Sequence, residues 1–367
     1  MTTLETPLQP GIGARASRLL HSCISSPGNI ALTLALVLLA AYALPPLLDW
    51  TILQGHWSGG PDACAPIDGK QREGACWAFV GSRWTQLVYG PYPDSEHWRV
   101  DAVFAMVLAA GIALLSRRVT SKGLIGLLLI LVAPPIAGVL LAGGVLGLPE
   151  VPVSRWGGLM LTVTLAGAAL AGSLPLGLAV ALCRRSSLPV IRVLAVGYIE
   201  FLRGVPLVPL LFLVMSILPL LLPPGTDLAL LPRAIVAFIL FNSAGMAEVF
   251  RGGLQAIPKG QFEAARSLGL SGAKTMALVI LPQAVAIVTP GLLNVAVAIV
   301  KETTVILIIG LIDFLNQIQA GLADPKWLLG DQVRDSAYLF AGLVYWAVCF
   351  GLSRVSARLE LERERRG

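Results

Sequence analysis

The sequence predicts an all-α integral membrane protein with about eight transmembrane helices. Of its 367 residues, 56% are hydrophobic and 13% charged, against roughly 25% charged in an ordinary soluble domain. The apolar runs recur at lengths near the roughly 20 residues that carry a helix across a bilayer. None of them alternates with the period of a membrane barrel, so the chain is expected to be helical throughout.

The spans are placed at about 30–48, 98–116, 123–147, 157–182, 194–222, 233–250, 277–301 and 336–353. The first could pass for a secretion signal, because Ala41-Tyr42-Ala43 imitates a cleavage site. It is longer than the usual run of roughly 7–15 apolar residues and Pro45-Pro46 follows at once, so it is expected to stay as an anchor. Prolines interrupt the third span at Pro134-Pro135 and the fifth at Pro206, Pro209 and Pro219. Orientation follows from Lys and Arg, which collect in cytoplasmic loops. With both termini inside, the inner face gathers Arg15, Arg18, Arg117, Arg118, Lys122, Arg184, Arg185, Arg192, Arg251, Lys259, Arg266, Lys274 and the tail from Arg354 to Arg366. The net charge of +6 is thus a topology signal, and no nucleic-acid partner is expected.

The character of the chain changes at LPEVPVSR, residues 148–155. Residues 1–29 read as a cytoplasmic segment, 30–150 as three spans with one outer loop at about 50–97, 151–353 as five closely connected spans, and 354–367 as a cytoplasmic tail. The outer loop, GHWSGGPDACAPIDGKQREGACWAF, faces an oxidising compartment on this topology, so Cys64 and Cys76 are expected to form a disulfide. The alternative is two unpaired thiols. Cys23, Cys183 and Cys349 read as small inert hydrophobes. Trp50, Trp57, Trp84, Tyr89 and Trp98 are expected to mark the outer interface, where amphipathic rings gather.

Catalytic constellations are missing from the sequence. His21, His56 and His97 stand apart, so no pair has the spacing of a metal site, and no metal is expected. GLSGAKT, residues 269–275, resembles a phosphate loop only superficially: the Gly before the Lys is Ala273, and the first Gly five residues earlier is Leu268. Ser271 misses the nucleophile elbow and has no histidine nearby.

Transport remains, and charges inside spans are where to look, since each costs on the order of 2.5–3.5 kcal/mol at mid-bilayer. Lys301 and Glu302 lie in VAVAIVKETTVILIIG, with Asn294 two turns earlier on nearly the same face. Thr289-Pro290-Gly291 is expected to interrupt this helix and free backbone groups beside a cavity. An anionic group of a substrate would meet Lys301, with Asn294, Thr303 and Thr304 as hydrogen-bonding neighbours, while Glu302 would either meet a cationic group or be a structural partner. The alternative keeps Lys301 structural, paired with Glu302, Asp313 or a partner, or snorkelling to the surface.

EAARSLGLSGAKTMALVILPQ, residues 263–283, is a charged segment between two apolar walls. Residues 258–268 read as a short helix that Gly269 ends in a left-handed cap, and Ser271 can cap the next helix. Phe262, Ala265 and Leu268 share one side, and Glu263 can pair with Arg266. From the residues alone, a docking helix and an amphipathic loop resting on headgroups remain equal alternatives.

This segment resembles the EAA motif of permease subunits of ATP-binding-cassette importers. Glu263, Ala264 and Ala265 are followed by Gly269 six residues on from the glutamate and by Leu281-Pro282 twelve beyond that, with Val279 where the family usually has Ile. Over 156–353, WGGLMLTVTLAG, YIEFLRGVPLVPLLF, NSAGMAEVFRGGLQAIPKGQFEAA and IVKETTVILIIG are similar to the polar amino-acid branch. Val208-Pro209 and Gly245 depart from its usual Gln and Tyr. The three-span prefix resembles the longer permease of general L-amino-acid importers.

The resemblance implies a five-helix type I importer core and a coupling loop at 253–276 that docks on an ATPase through Glu263, Ala264, Ala265, Arg266 and Gly269. It further implies a bacterial inner-membrane location, a homologous second permease in a heterodimer, two ATP-binding subunits and a periplasmic amino-acid-binding protein. No cofactor is then expected on this chain, ATP-Mg belonging to the partner. A secondary transporter, which would work alone, and a membrane enzyme are the rival readings.

Overall fold

The computed structural model describes residues 21, 23–66, 73–116, 118–119, 122–145, 147–223, 225–226, 228–328 and 330–364. Most of the expected cytoplasmic segment, Arg15, Arg18 and Arg117 among the orienting charges, and the last three residues of the tail lie outside the described residues. The chain divides into two units, one formed within 1–79 and 329–336 and the other within 80–328 and 337–367.

The smaller unit begins with α1, Pro27–Leu48, capped by Ser26, whose hydroxyl accepts from the Asn29 amide at 3.2 Å. None of its residues is buried, and it continues as a wide turn through Asp49–Leu53. A helix apolar on every side suits lipid. After it the chain folds back on itself: the His56 amide donates to Ala75 O at 2.7 Å, the Ala75 amide to Trp50 O at 2.8 Å, and the Trp77 indole to Thr51 O at 2.7 Å. Cys64 and Cys76 are bonded, with Cα atoms 5.9 Å apart. The first residues of the last helix complete this loop, because Gln332 Nε2 donates to Cys64 O at 3.2 Å and the Cys76 amide donates to Ser336 Oγ at 2.7 Å.

In the larger unit come α2 (Trp77–Tyr89), α3 (His97–Leu115), α4 (Lys122–Leu131), α5 (Ala133–Ala142), α6 (Gly158–Arg184), α7 (Pro189–Gly204) and α8 (Leu207–Ile217). They are followed by α9 (Leu230–Ala256), α10 (Lys259–Ser267), α11 (Leu281–Glu302), α12 (Phe314–Leu322) and α13 (Asp331–Glu364). The core is the crossing of α6, α9 and α11, where Leu161, Leu165, Ala169, Ala234, Phe238 and Ile299 are buried. Small residues let these backbones approach, as expected where lipid supplies no hydrophobic drive between helices. A Cβ on Gly177 would lie 2.5 Å from the Met246 Cβ and 2.9 Å from Ser243 O, and one on Gly291 2.9 Å from Val249 Cγ1.

The interruption expected in the fifth span is present, and the one expected at Pro290 is not. The fifth span is a broken pair, α7 and α8 meeting at 115°. Proline has no amide to donate and pushes the residue before it out of the helical region. Val205 is accordingly extended, with φ −97° and ψ 130°, ahead of Pro206. Pro290, by contrast, lies inside an uninterrupted α11, and Gly291 packs against α9 where an interruption was expected. The third span does hold together, as α4 and α5, and seven helices are long and apolar enough to cross a membrane, eight with the broken pair counted once.

Connectivity bears on how the broken pair runs. Arg83 on α2 is ion-paired with Asp324 beyond α12, so an even number of crossings separates them. Between the two lie α3, α4 with α5, α6, α9 and the Gly272–Ile309 helix. These are five by length and composition, and an even count follows when α7 with α8 makes one further crossing. The carboxyl of Asp324 is held below the usual carboxylate range by the Lys326 amide and then by Arg83.

Candidate functional site

The charged turn is built as follows. Phe262 of α10 packs against Leu254, Ile257, Ile280 and Ala284, and Ala265 is 3% exposed. Glu263, Ala264 and Arg266 face outward. At the end of α10 the Gly269 amide donates to Arg266 O at 2.9 Å and the Leu270 amide to Ala265 O at 3.1 Å. These are the two bonds of a Schellman cap, and Gly269 supplies the positive φ it needs, +75°. Ser271 Oγ then accepts from the Lys274 amide at 3.4 Å to start the next helix.

Two expected details differ. Leu268 does not join Phe262 and Ala265; it is 80% exposed, because the cap turns the chain away one residue before the apolar side would recur. Among the described residues no ion pair joins Glu263 to Arg266, and both carboxylate and guanidinium stand free of each other on the outer face. The α10 helix is instead steadied from behind, by the Arg185 guanidinium 5.9 Å from the Phe262 ring centroid and by Gln283 Nε2 donating to Gln261 Oε1 at 3.1 Å.

Behind this turn sits a charge cluster that the sequence reading missed. Glu248 on α9 pairs with Arg184 at the end of α6 and with Arg251 at 2.7 Å, and Arg185 Nη1 donates to Leu254 O at 3.3 Å. The Glu248 and Arg251 positions, three apart in an apolar helix, were the available signal. Arg184 lies 64 residues away and could not be paired with them by pattern.

Around the end of α11 the expected substrate residues separate. Asn294 and Lys301 lie on one exposed face, while Glu302 is half-buried and accepts from Asn242 Nδ2 at 3.2 Å. Thr303 is fully buried, its hydroxyl 3.1 Å from Asp313 Oδ2, and Tyr345 donates to the same oxygen at 3.2 Å. Thr304 bonds back to Lys301 O at 3.1 Å. Among the described residues Lys301 makes no ion pair with Glu302 or Asp313. The helix tightens to 3₁₀ geometry over Thr303–Ile309 and ends at Gly310. Glu200 and Arg203 of α7 are exposed as well. Charges on an open face within spans call for a water-lined path or another protein surface.

A helical membrane protein with a capped surface turn on a tether and no catalytic centre in its sequence has the parts of a transporter's membrane subunit. Residues 173–363 match the family described as binding-protein-dependent transport system inner membrane component. The chain is similar, at 42% identity over 92% of its length and 89% of the relative's, to the inner membrane amino-acid ABC transporter permease protein YhdY of Escherichia coli. It is 32% identical, over 94% of its length and 93% of the relative's, to the glutamate/glutamine/aspartate/asparagine transport system permease protein BztC of Rhodobacter capsulatus. Among solved structures, an amino acid ABC transporter with histidines matches 56% of this chain and 91% of its own at 30% identity, with a TM-score of 0.49. The chain belongs to the binding-protein-dependent inner membrane component family, among the amino-acid ABC transporter permeases.

Proposed function

We propose that this chain carries L-amino acids from periplasm to cytoplasm in a complex with a homologous second permease, two ATP-binding subunits and a soluble periplasmic binding protein. Both termini are cytoplasmic in this reading, as the Lys and Arg distribution favours. Residues 30–150 form an added three-span portion, and 151–353 the transport core with its coupling loop at 253–276. The observation that carries the reading is the α10 turn: a short helix held from behind by Ala265, Phe262 and Gln261, with Glu263, Ala264 and Arg266 presented outward. Such a helix can take up a push from a docked ATPase and pass it through the Arg184, Glu248 and Arg251 cluster to α6 and α9. The substrate moves past the exposed face of Asn294 and Lys301, with Thr304 beside it. Glu302 and Thr303 hold that face in place from inside. The chain binds no cofactor itself, ATP-Mg lying on its partners.

The test is reconstitution in vesicles. Uptake of a labelled amino acid is expected only when ATP, the ATP-binding subunits and the binding protein are all supplied. Transport by this chain alone, driven by an ion gradient, would replace the reading with that of a secondary transporter.

A further inference from the structure

Within the smaller unit, a cleft of about 380 Å³ opens between the disulfide-closed loop and the first turns of α13, lined by Trp50, Gln54, Glu73, Gly74, Asp331, Gln332 and Asp335. Three carboxylates stand around it: Glu73, Asp331 and Asp335. One cation of the described residues answers them. Arg334 divides its guanidinium between Asp331, at 3.1 Å, and Asp335, at 3.3 Å. Glu73 has no ion pair among the described residues, its backbone oxygen alone lying 3.2 Å from His56 Nε2.

A second, independent observation points to a missing donor. Gln332 is 6% exposed, and its Nε2 is committed to Cys64 O, yet its Oε1 has no hydrogen-bond partner. A buried acceptor left without a donor is destabilising, and native proteins usually satisfy it. The walls therefore offer anionic oxygens, one orphaned neutral acceptor and the half-buried Trp50 indole. A guanidinium or ammonium satisfies all three at once: it brings several N–H donors, it is the complement of the carboxylates, and it is attracted to an aromatic face.

We propose that this cleft receives an arginine or lysine side chain of the periplasmic amino-acid-binding protein and so anchors the docked protein to the first loop. The proposal rests on the importer reading above, which places this loop in the periplasm. Charge complementarity selects the occupant. The rigidity of the cleft fits docking, because the disulfide and the Gln332 and Ser336 hydrogen bonds fix its walls before a partner arrives.

The experiment measures stimulation of ATP hydrolysis by the reconstituted complex as a periplasmic amino-acid-binding protein is titrated in, using as probe a purified one that stimulates the wild type. For wild type, the half-maximal concentration is expected to rise several-fold as salt is raised, since screening weakens exposed charge pairs. In Glu73→Gln/Asp335→Asn it is expected to rise at least tenfold at low salt, with the salt dependence flattened and maximal stimulation still reached at saturation. Asp62→Asn, an exposed carboxylate outside the cleft, is expected to match wild type. Thiol labelling confirms that Cys64 and Cys76 remain bonded in each variant. A wild-type half-maximal concentration indifferent to salt, or a bonded double variant that titrates like wild type, overturns the proposal. A wild-type complex that no such protein stimulates overturns the importer reading, and the docking site with it.

Discussion

At the scale of single residues, the conformation of Gly269 is the sharpest constraint on the α10 turn. Nothing lies within 4 Å of where its Cβ would be, so a substitution there meets only backbone strain. A left-handed conformation costs an ordinary L-residue roughly 1–2 kcal/mol, whereas Asn adopts it readily. Gly269→Leu is expected to lower ATPase recovery in a detergent pull-down and to reduce stimulated hydrolysis, and Gly269→Asn to restore most of both. Equal recovery for Leu and wild type would mean that the turn tolerates displacement. Lys301 supplies a second test. Its exposure and lack of an ion pair with Glu302 or Asp313 set it apart from Thr303, which is locked to Asp313. Lys301→Met keeps the apolar stem and removes the charge. The variant complex is expected to assemble and hydrolyse ATP while losing uptake across amino acids of different side chains, because all carry the carboxylate. Near-normal uptake by an intact Met variant would leave the lysine a structural role.

At the scale of elements, the α6–α9 crossing depends on where glycine stands. Gly177 and Gly167 both lie on α6, but only the first faces a backbone: Ser243 O and the Met246 Cβ leave no room for a side chain, whereas nothing lies within 4 Å of a Cβ on Gly167. Gly177→Val is expected to cost several kcal/mol, beyond the roughly 1–3 kcal/mol of ordinary overpacking, because backbone must move. The readout is the melting of the purified protein followed by size-exclusion fluorescence: a large downward shift for Gly177→Val and little change for Gly167→Val. Which elements the sequence reveals follows the same physics. Apolar run length made the spans legible, and the α10 cap was legible because all its bonds are local, from Gly269 to Arg266 and from Leu270 to Ala265. The interruption at Pro206 was legible from the proline itself, but the 115° angle it produces was not, because hydrophobicity continues across the break. The error came at Pro290, where close packing of Gly291 against Val249 was mistaken for a hinge. The Glu248 pairing with Arg184, and the division of Lys301 from Thr303, depend on how distant helices face each other, which no local pattern encodes.

For the molecule as a whole, the even count of crossings between Arg83 and Asp324 predicts the sidedness of every loop relative to the next. Ser187 precedes the broken pair and Thr226 follows it, and both are exposed. In a background lacking Cys23, Cys183 and Cys349, a membrane-impermeant maleimide should label Ser187→Cys and Thr226→Cys from opposite faces of sealed vesicles. Labelling of both from one face would make α7 and α8 a re-entrant loop. The loop closed by Cys64 and Cys76 has a further consequence, in the order of synthesis. Its bridge joins residues only 12 apart, but two of its other bonds reach forward 268 residues to Gln332 and 260 to Ser336. At about 5–20 residues per second, a ribosome needs roughly 13–54 s to deliver those partners after the cysteines have emerged. The part of the fold begun first is therefore finished last. A chain stopped short of Asp331 would have both cysteines of the bridge and still lack the floor of its acidic cleft.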